Sequence, residues 1–355
     1  MTSHTDGGGP WQAARMTKRY ADIRLQLPSA SERWTGEAFR AELGSWVAST
    51  VGEPVSLEPV KVRAWATVWR AETESGVFYA KQNCSTQSYE AALMVALNDL
   101  ASRHVVPLTA VEPGLGLFLT PDQGDPLGVG AGDDLDVWCR VTAAGAQLQL
   151  EVARYVDRFV DVGVTTLAPG DCVGYVEEQL DAFAEVPDGD PRAMTAEQRA
   201  GVRAALPRIA GWGEEVAGLG LPLTLCHNDL HGHNVFDIAG ELRFFDFADA
   251  LVMEPLAALL IPVNVLAHQL GAGPDDPRLH RVADAGLEVW SEYAPMSALR
   301  RALPAALQLA RLARTESWTR CTAPMNDAEL AEWGDAAPWW LASLLEDPPL
   351  GTLPA

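Results

Sequence analysis

Cysteine is scarce: 355 residues hold five, at positions 84, 139, 172, 226 and 321, scattered and without a C-x-x-C pair. An odd, dispersed set excludes a disulfide framework and reads as free thiols in a reducing compartment. Positive charge is also short. Lys and Arg total 26 against 48 Asp and Glu, for a net charge of −22. A surface of that sign repels nucleic-acid phosphates and anionic membranes, while it tolerates or attracts a cationic small molecule. No run of about 18 apolar residues occurs, and the N-terminal MTSHTDGGGPWQAARMTKRY lacks the apolar centre of a secretory signal. The expectation is a cytoplasmic, soluble protein. Internal repeats are absent, as is low complexity beyond the Gly-bearing N-terminus.

What is present is ordinary globular material: 48% hydrophobic and 21% charged residues, enough chain for one large or two moderate domains. Residues 1–18 lack periodicity and are expected to be mobile. A helix is expected over 36–50, with Phe39, Leu43 and Trp46 on one face. Strands follow at 62–73 and 77–83 around the turn Glu74-Ser75-Gly76. A helix at 88–102 carries Leu93, Ala96, Leu97 and Leu100, and two strands come at 105–112 and 116–122. Gly and Asp then break the pattern near 121–134. Beyond that break the chain reads as helices at 134–163, 195–220, 255–270, 276–294, 296–314 and 327–346, with Thr195 and Gln198 as a capping box. The outline is α+β and bilobal: a β-rich N-lobe over 19–123 and a larger α-helical C-lobe over 124–355.

The most informative stretch lies inside that helical half: LPLTLCHNDLHGHNVFDIAGELRFFDFADA, 221–250. A short apolar strand delivers His227-Asn228-Asp229 to a polar loop. Asn234-Val235-Phe236 opens a return strand, Ala239-Gly240 supplies a turn, and 242–245 pairs back to bring Asp246 beside the loop. Phosphoryl transfer asks for few groups: a carboxylate to orient the attacking hydroxyl and take its proton, and hard oxygen ligands to hold Mg²⁺ against the phosphates. Asp229 suits the first task and Asn234 with Asp246 the second. His227 suits a structural hydrogen bond to the loop backbone.

This block resembles the aminoglycoside phosphotransferase family, small-molecule kinases with a protein-kinase-like fold, in which H-G-D-L-H-x-G-N-V is typical. Here the run is His227-Asn228-Asp229-Leu230-His231-Gly232-His233-Asn234-Val235. The resemblance spans roughly 60–310, with only this block highly specific. It implies that Asp229 is the catalytic base and that Asn234 and Asp246 bind magnesium. It further implies that Lys81, in the strand VFYAKQN, meets the α- and β-phosphates, with Glu90 as its partner. Backbone groups near Leu119 to Pro121 would contact the adenine. ATP, or alternatively GTP, is the implied phosphate donor.

Two departures stand out. The turn near Ala64 to Thr67 has no glycine to cover the phosphates. The family's D-P-x-x-D-L also reads Glu254-Pro255-Leu256-Ala257-Ala258-Leu259, with Ala258 where an acid usually anchors the loop, leaving Asp249 or His227 to tie it. Two other function classes compete: a pseudokinase or nucleotide-binding module, and a Zn²⁺-dependent hydrolase built on the alternating His227, Asp229, His231 and His233. For a kinase, the acceptor is a hydroxyl of an aminoglycoside, another antibiotic, a natural product or a metabolite. Acidic residues such as Asp157, Asp161, Glu177, Glu178 and Asp181 would suit a polyamine, and Trp290, Trp318, Trp333, Trp339 and Trp340 a flat apolar face.

Overall fold

The computed structural model describes residues 29–129 and 134–351; the expected mobile segment 1–18 lies outside them. Helices α1 (Ala30–Trp34) and α2 (Glu37–Val51) lead into a five-stranded antiparallel sheet. Its first strands are β1 (Pro54–Val62), β2 (Ala66–Thr73) and β3 (Gly76–Asn83). Helix α3 (Glu90–Ala101) follows, then β4 (Ala110–Glu112) and β5 (Leu117–Pro121), in spatial order β1-β2-β3-β5-β4. β1 falls where no strand was expected. Two prolines, Pro54 and Pro59, and a mostly exposed face hide it in the sequence, and both are tolerated because it lies at the sheet edge. The expected strand at 105–112 is split by Pro107. Val106 donates its N–H to Phe244 in the other half of the protein, and only 110–112 joins the sheet.

The buried face of α2 is Phe39, Leu43 and Val47, with Trp46 partly buried beside them, and it packs with Trp34 against Leu57, Trp69, Ala71 and Leu119. Helix α3 is apolar on two sides, burying Ala91, Leu93, Met94 and Leu97, so it bridges the sheet and the helical half.

The helical half contains α4 (Leu135–Val152), α5 (Val156–Asp161), α6 (Cys172–Ala184), α7 (Ala196–Ala204) and α8 (Leu206–Ala217). The capping box of Thr195 and Gln198 is formed at α7. Two small ribbons follow, made from β6 (Thr224–Cys226), β7 (Val235–Ile238), β8 (Glu241–Phe244) and β9 (Leu251–Met253). β7 pairs with β8, whereas β6 pairs antiparallel with β9. Then come α9 (Leu260–Leu270), α10 (Pro277–Leu287), α11 (Met296–Thr322), α12 (Asp327–Trp333) and α13 (Ala336–Ala342). α11 runs eight residues past the expected end at 314, because its next turns are buried at Thr315, Ser317, Arg320 and Cys321. Among the described residues no helix is long and apolar enough to cross a membrane, and all five cysteines are free.

Candidate active site

The β7–β8 hairpin carries the chemistry because its turn is tight. Ala239 (φ 54°) and Gly240 (φ 91°) both take left-handed backbone, and the Gly240 N–H meets Asp237 Oδ1 at 2.8 Å. Such a two-residue turn matches strand twist and keeps register. Val235 therefore faces Phe244, and the chain returns Asp246 to the loop that starts at His227.

That loop is held from within. His227 is buried and sits between two backbone groups: Nε2 lies 2.9 Å from Phe245 O, and Nδ1 accepts the Asp229 N–H at 3.3 Å. These partners assign the proton to Nε2, and burial lowers the imidazole pKa, so the ring is neutral. Asn228 stands at φ 59°, a region open mainly to Gly and Asn, which explains how Asn replaces the glycine of the family pattern. Its Nδ2 donates to Asp249 O at 3.3 Å. Asn234 Nδ2 donates to the Asp229 carbonyl at 3.0 Å, closing the loop across five residues. Gly232 is required by close approach: a Cβ there would lie 2.8 Å from Gly128 Cα.

One end of the site belongs to the sheet. Lys81 Nζ, fully buried on β3, lies 2.7 Å from Glu90 Oε2 and 2.5 Å from Asp246 Oδ1. Burial works against the ammonium, but the carboxylates of Asp246 and Glu90 outweigh it and raise its pKa, so Lys81 is charged. Glu90 also accepts the Phe247 N–H at 2.7 Å, binding α3 to the residue after Asp246. Asp246 is at φ 65°, and its side chain is 29% exposed.

The other end belongs to α11. Arg314 Nη1 donates to Asp249 Oδ2 at 2.7 Å and Asn228 O at 3.0 Å, and stands 3.3 Å from Asp229 Oδ1. Burial opposes the Asp229 charge, yet Arg314 together with His231 and His227 outweighs it and holds this carboxyl well below the usual carboxylate range. Asp249 lies deeper, where burial raises its pKa. Arg314 was not among the expected site residues. Its only sequence signal is an arginine on the apolar side of a helix.

The expected residues therefore converge in two groups, Lys81–Glu90–Asp246 and His227–Asp229–Asn234 with Asp249. Leu119 and Pro121 fare differently: the Leu119 carbonyl already accepts the Thr109 N–H at 2.8 Å, and Pro121 has no N–H and gives its carbonyl to Gln123. Both residues lie within β5, and the chain leaves the sheet only after Pro121. Ala258, where an acid was expected, lines a small apolar cavity with His227 and Leu230 beneath the loop.

The donor set fits Mg²⁺. Asn234 spends its amide nitrogen internally, which leaves a hard carbonyl oxygen, and Asp246 engages Lys81 through Oδ1 alone. The histidines of the zinc reading diverge. His227 points at Phe245 O, and His231 accepts the His233 N–H through Nδ1 at 3.2 Å. Among the described residues no group of three or more His, Cys, Asp or Glu is placed to hold a metal ion. Of the tryptophans, Trp290 is core, Trp318 and Trp333 stack at 5.7 Å with Trp65 edge-on to both, and Trp339 is 53% exposed while Trp340 covers Arg314. Asp157, Asp161, Glu177 and Asp181 are exposed.

No protein-family model matches the chain, and no curated protein matches it. Solved structures do. The chain is similar to Plasmodium vivax ethanolamine kinase (TM-score 0.63, 11% identity, 96% of each chain covered). It is also similar to an amicoumacin kinase solved with AMP-PNP, Ca²⁺ and amicoumacin (TM-score 0.56, 14% identity, 88% of this chain and 95% of that one). A third is an aminoglycoside phosphotransferase solved with ADP and hygromycin B (TM-score 0.53, 12% identity, 86% and 98%). The fold is the bilobal, protein-kinase-like fold of small-molecule kinases.

Proposed function

We propose that the protein is an ATP-dependent small-molecule O-phosphotransferase. The observation that carries this reading is the convergence of two distant parts of the chain: the buried Lys81–Glu90 pair reaches Asp246, opposite the loop of Asp229 and Asn234. Lys81 meets the α- and β-phosphates and needs a partner that keeps it charged and aimed, which Glu90 supplies. Asn234 and Asp246 would hold Mg²⁺, which when bound would neutralise phosphate charge. Asp229, 28% exposed at the cleft, orients the acceptor hydroxyl. The hydroxyl oxygen forms the new bond to the γ-phosphorus, the bond to the β–γ bridging oxygen breaks, and the hydroxyl proton passes to the Asp229 carboxylate. A carboxylate held ionised is a weak base, which suits a loose transition state in which the proton moves late.

The acceptor class is a hydroxyl-bearing antibiotic, natural product or metabolite, with aminoglycosides the leading group. The net charge of −22 favours a cationic acceptor. ATP is the proposed donor and GTP the alternative, and the setting is cytoplasmic. Calorimetric titration of ATP and GTP, with and without Mg²⁺, on wild type and Asp246→Ala tests the reading. Mg²⁺-dependent binding that weakens at least tenfold in the variant supports it. Well-folded protein that binds neither nucleotide overturns it, and binding without phosphate turnover on any acceptor makes the protein a nucleotide-binding module.

A further inference from the structure

We infer that Arg314 is the positioning residue of the catalytic loop, taking over from α11 the anchoring task for which Ala258 has no side chain. The inference rests on the kinase reading for its functional consequence and on geometry alone for the positioning itself. A single guanidinium nitrogen reaches three oxygens in two segments: the Asn228 carbonyl, Asp249 Oδ2 and Asp229 Oδ1. The Asn228 carbonyl belongs to a residue in left-handed backbone, a conformation that persists only where its surroundings hold it. Arg314 fixes that peptide from one side while Asn228 Nδ2 grips Asp249 O from the other, so loop and Asp249 segment are laced through one cation.

The guanidinium itself is shielded from water. Arg314 is 7% exposed, and Trp340 of α13 covers its guanidinium at 5.8 Å. Ser317, about one turn further along α11, donates to Asp249 O at 3.3 Å, so the same helix face holds the segment twice. In a site of low polarity a fixed cation orients a carboxylate strongly. The contact to Asp229 is the longest of the three, 3.3 Å against 2.7 Å to Asp249. Arg314 thus aims Asp229 through Oδ1, while Oδ2, on the more exposed side, faces His231 Nε2 at 3.4 Å. A lysine carries three donors on one nitrogen but lacks the planar head that lies under Trp340, so it serves only part of this role.

The test compares wild type, Arg314→Met and Arg314→Lys by amide hydrogen exchange and by phosphate release from Mg–ATP to water. Arg314→Met should speed exchange of the 228–234 amides at least tenfold, with β3 and α3 unchanged. Phosphate release should fall at least thirtyfold in kcat, with KM for Mg–ATP within threefold, and Arg314→Lys should recover an intermediate kcat. A folded Arg314→Met whose 228–234 exchange is unchanged overturns the inference, as does a loss that falls on KM alone. If Arg314→Met does not fold, Arg314→Lys decides by the same two readouts: wild-type exchange and kcat in that variant would overturn the role. Wild type that neither binds nor cleaves ATP defeats the kinase reading, while the exchange comparison still decides whether Arg314 positions the loop.

Discussion

The two ends of the candidate site are built on opposite principles. At the sheet end, Lys81, Glu90 and Asp246 form a compact ion set: one cation, two carboxylates, with Lys81 and Glu90 almost wholly buried. At the helix end, Arg314 is shared between Asp229 and Asp249, and the carboxylate nearest the cleft is the one held least closely. The first arrangement is rigid because desolvated charges cannot lose a partner. The second leaves Asp229 room to engage something else. The proposed function, with phosphates held at one end and a hydroxyl arriving at the other, would use that asymmetry.

The largest expected effect lies at the helix end. Asp229→Ala should lower turnover by about 10³-fold, within the range for losing a positioned proton acceptor, while nucleotide affinity stays within about threefold. Steady-state kinetics beside calorimetry decide it, and lost nucleotide binding in a folded variant would remove Asp229 from the role given to it. At the sheet end the penalty should appear in stability instead. Lys81→Met strands Glu90 without its buried cation, and breaking such a pair costs about 3–5 kcal/mol. Chemical denaturation should show that loss, and a variant as stable as wild type would mean Glu90 is held by Asn83 and Phe247 alone.

The smallest effect sharpens the contrast from outside both ends. Glu254 is buried, one of its oxygens has no partner among the described residues, and burial pushes its pKa up to about 7. A folded pKa above the unfolded value of about 4.3 means that its neutral form supports folding. That contribution is present below the unfolded pKa and is lost as pH rises through about 7. Glu254→Gln should therefore be more stable than wild type at pH 8, by on the order of 2 kcal/mol, and should lose the advantage by pH 4. Urea midpoints at both pH values measure it. A constant difference would show that Glu254 does not titrate in this window.

Much of the site was legible because its signals are local. The hairpin from Val235 to Phe244 places Asn234 and Asp246 by turn geometry alone, and a lysine inside the apolar strand VFYAKQN demands a partner that α3 is close enough to provide. The surroundings of Leu119 and Pro121 were not legible in the same way, since residue identity does not reveal which carbonyls neighbouring groups have already taken. β1 escaped notice because an edge strand tolerates prolines and exposed valines, and the β6–β9 pairing because its partners are 25 residues apart and only three residues long.

By itself, then, the order of residues determined the alternation that makes the sheet, the stripes that make the helices, and the polar loop with its carboxylates, all of which depend on neighbours a few positions away. Tertiary structure decided which cation stands behind Asp229. Arg314 lies 85 positions downstream, on the apolar side of a helix whose periodicity does not say what that charge would meet. Only the packing of α11 and α13 against the loop turns that arginine into the group that holds it, because electrostatic partnership is set by distance and exclusion of water, neither of which is written in sequence spacing.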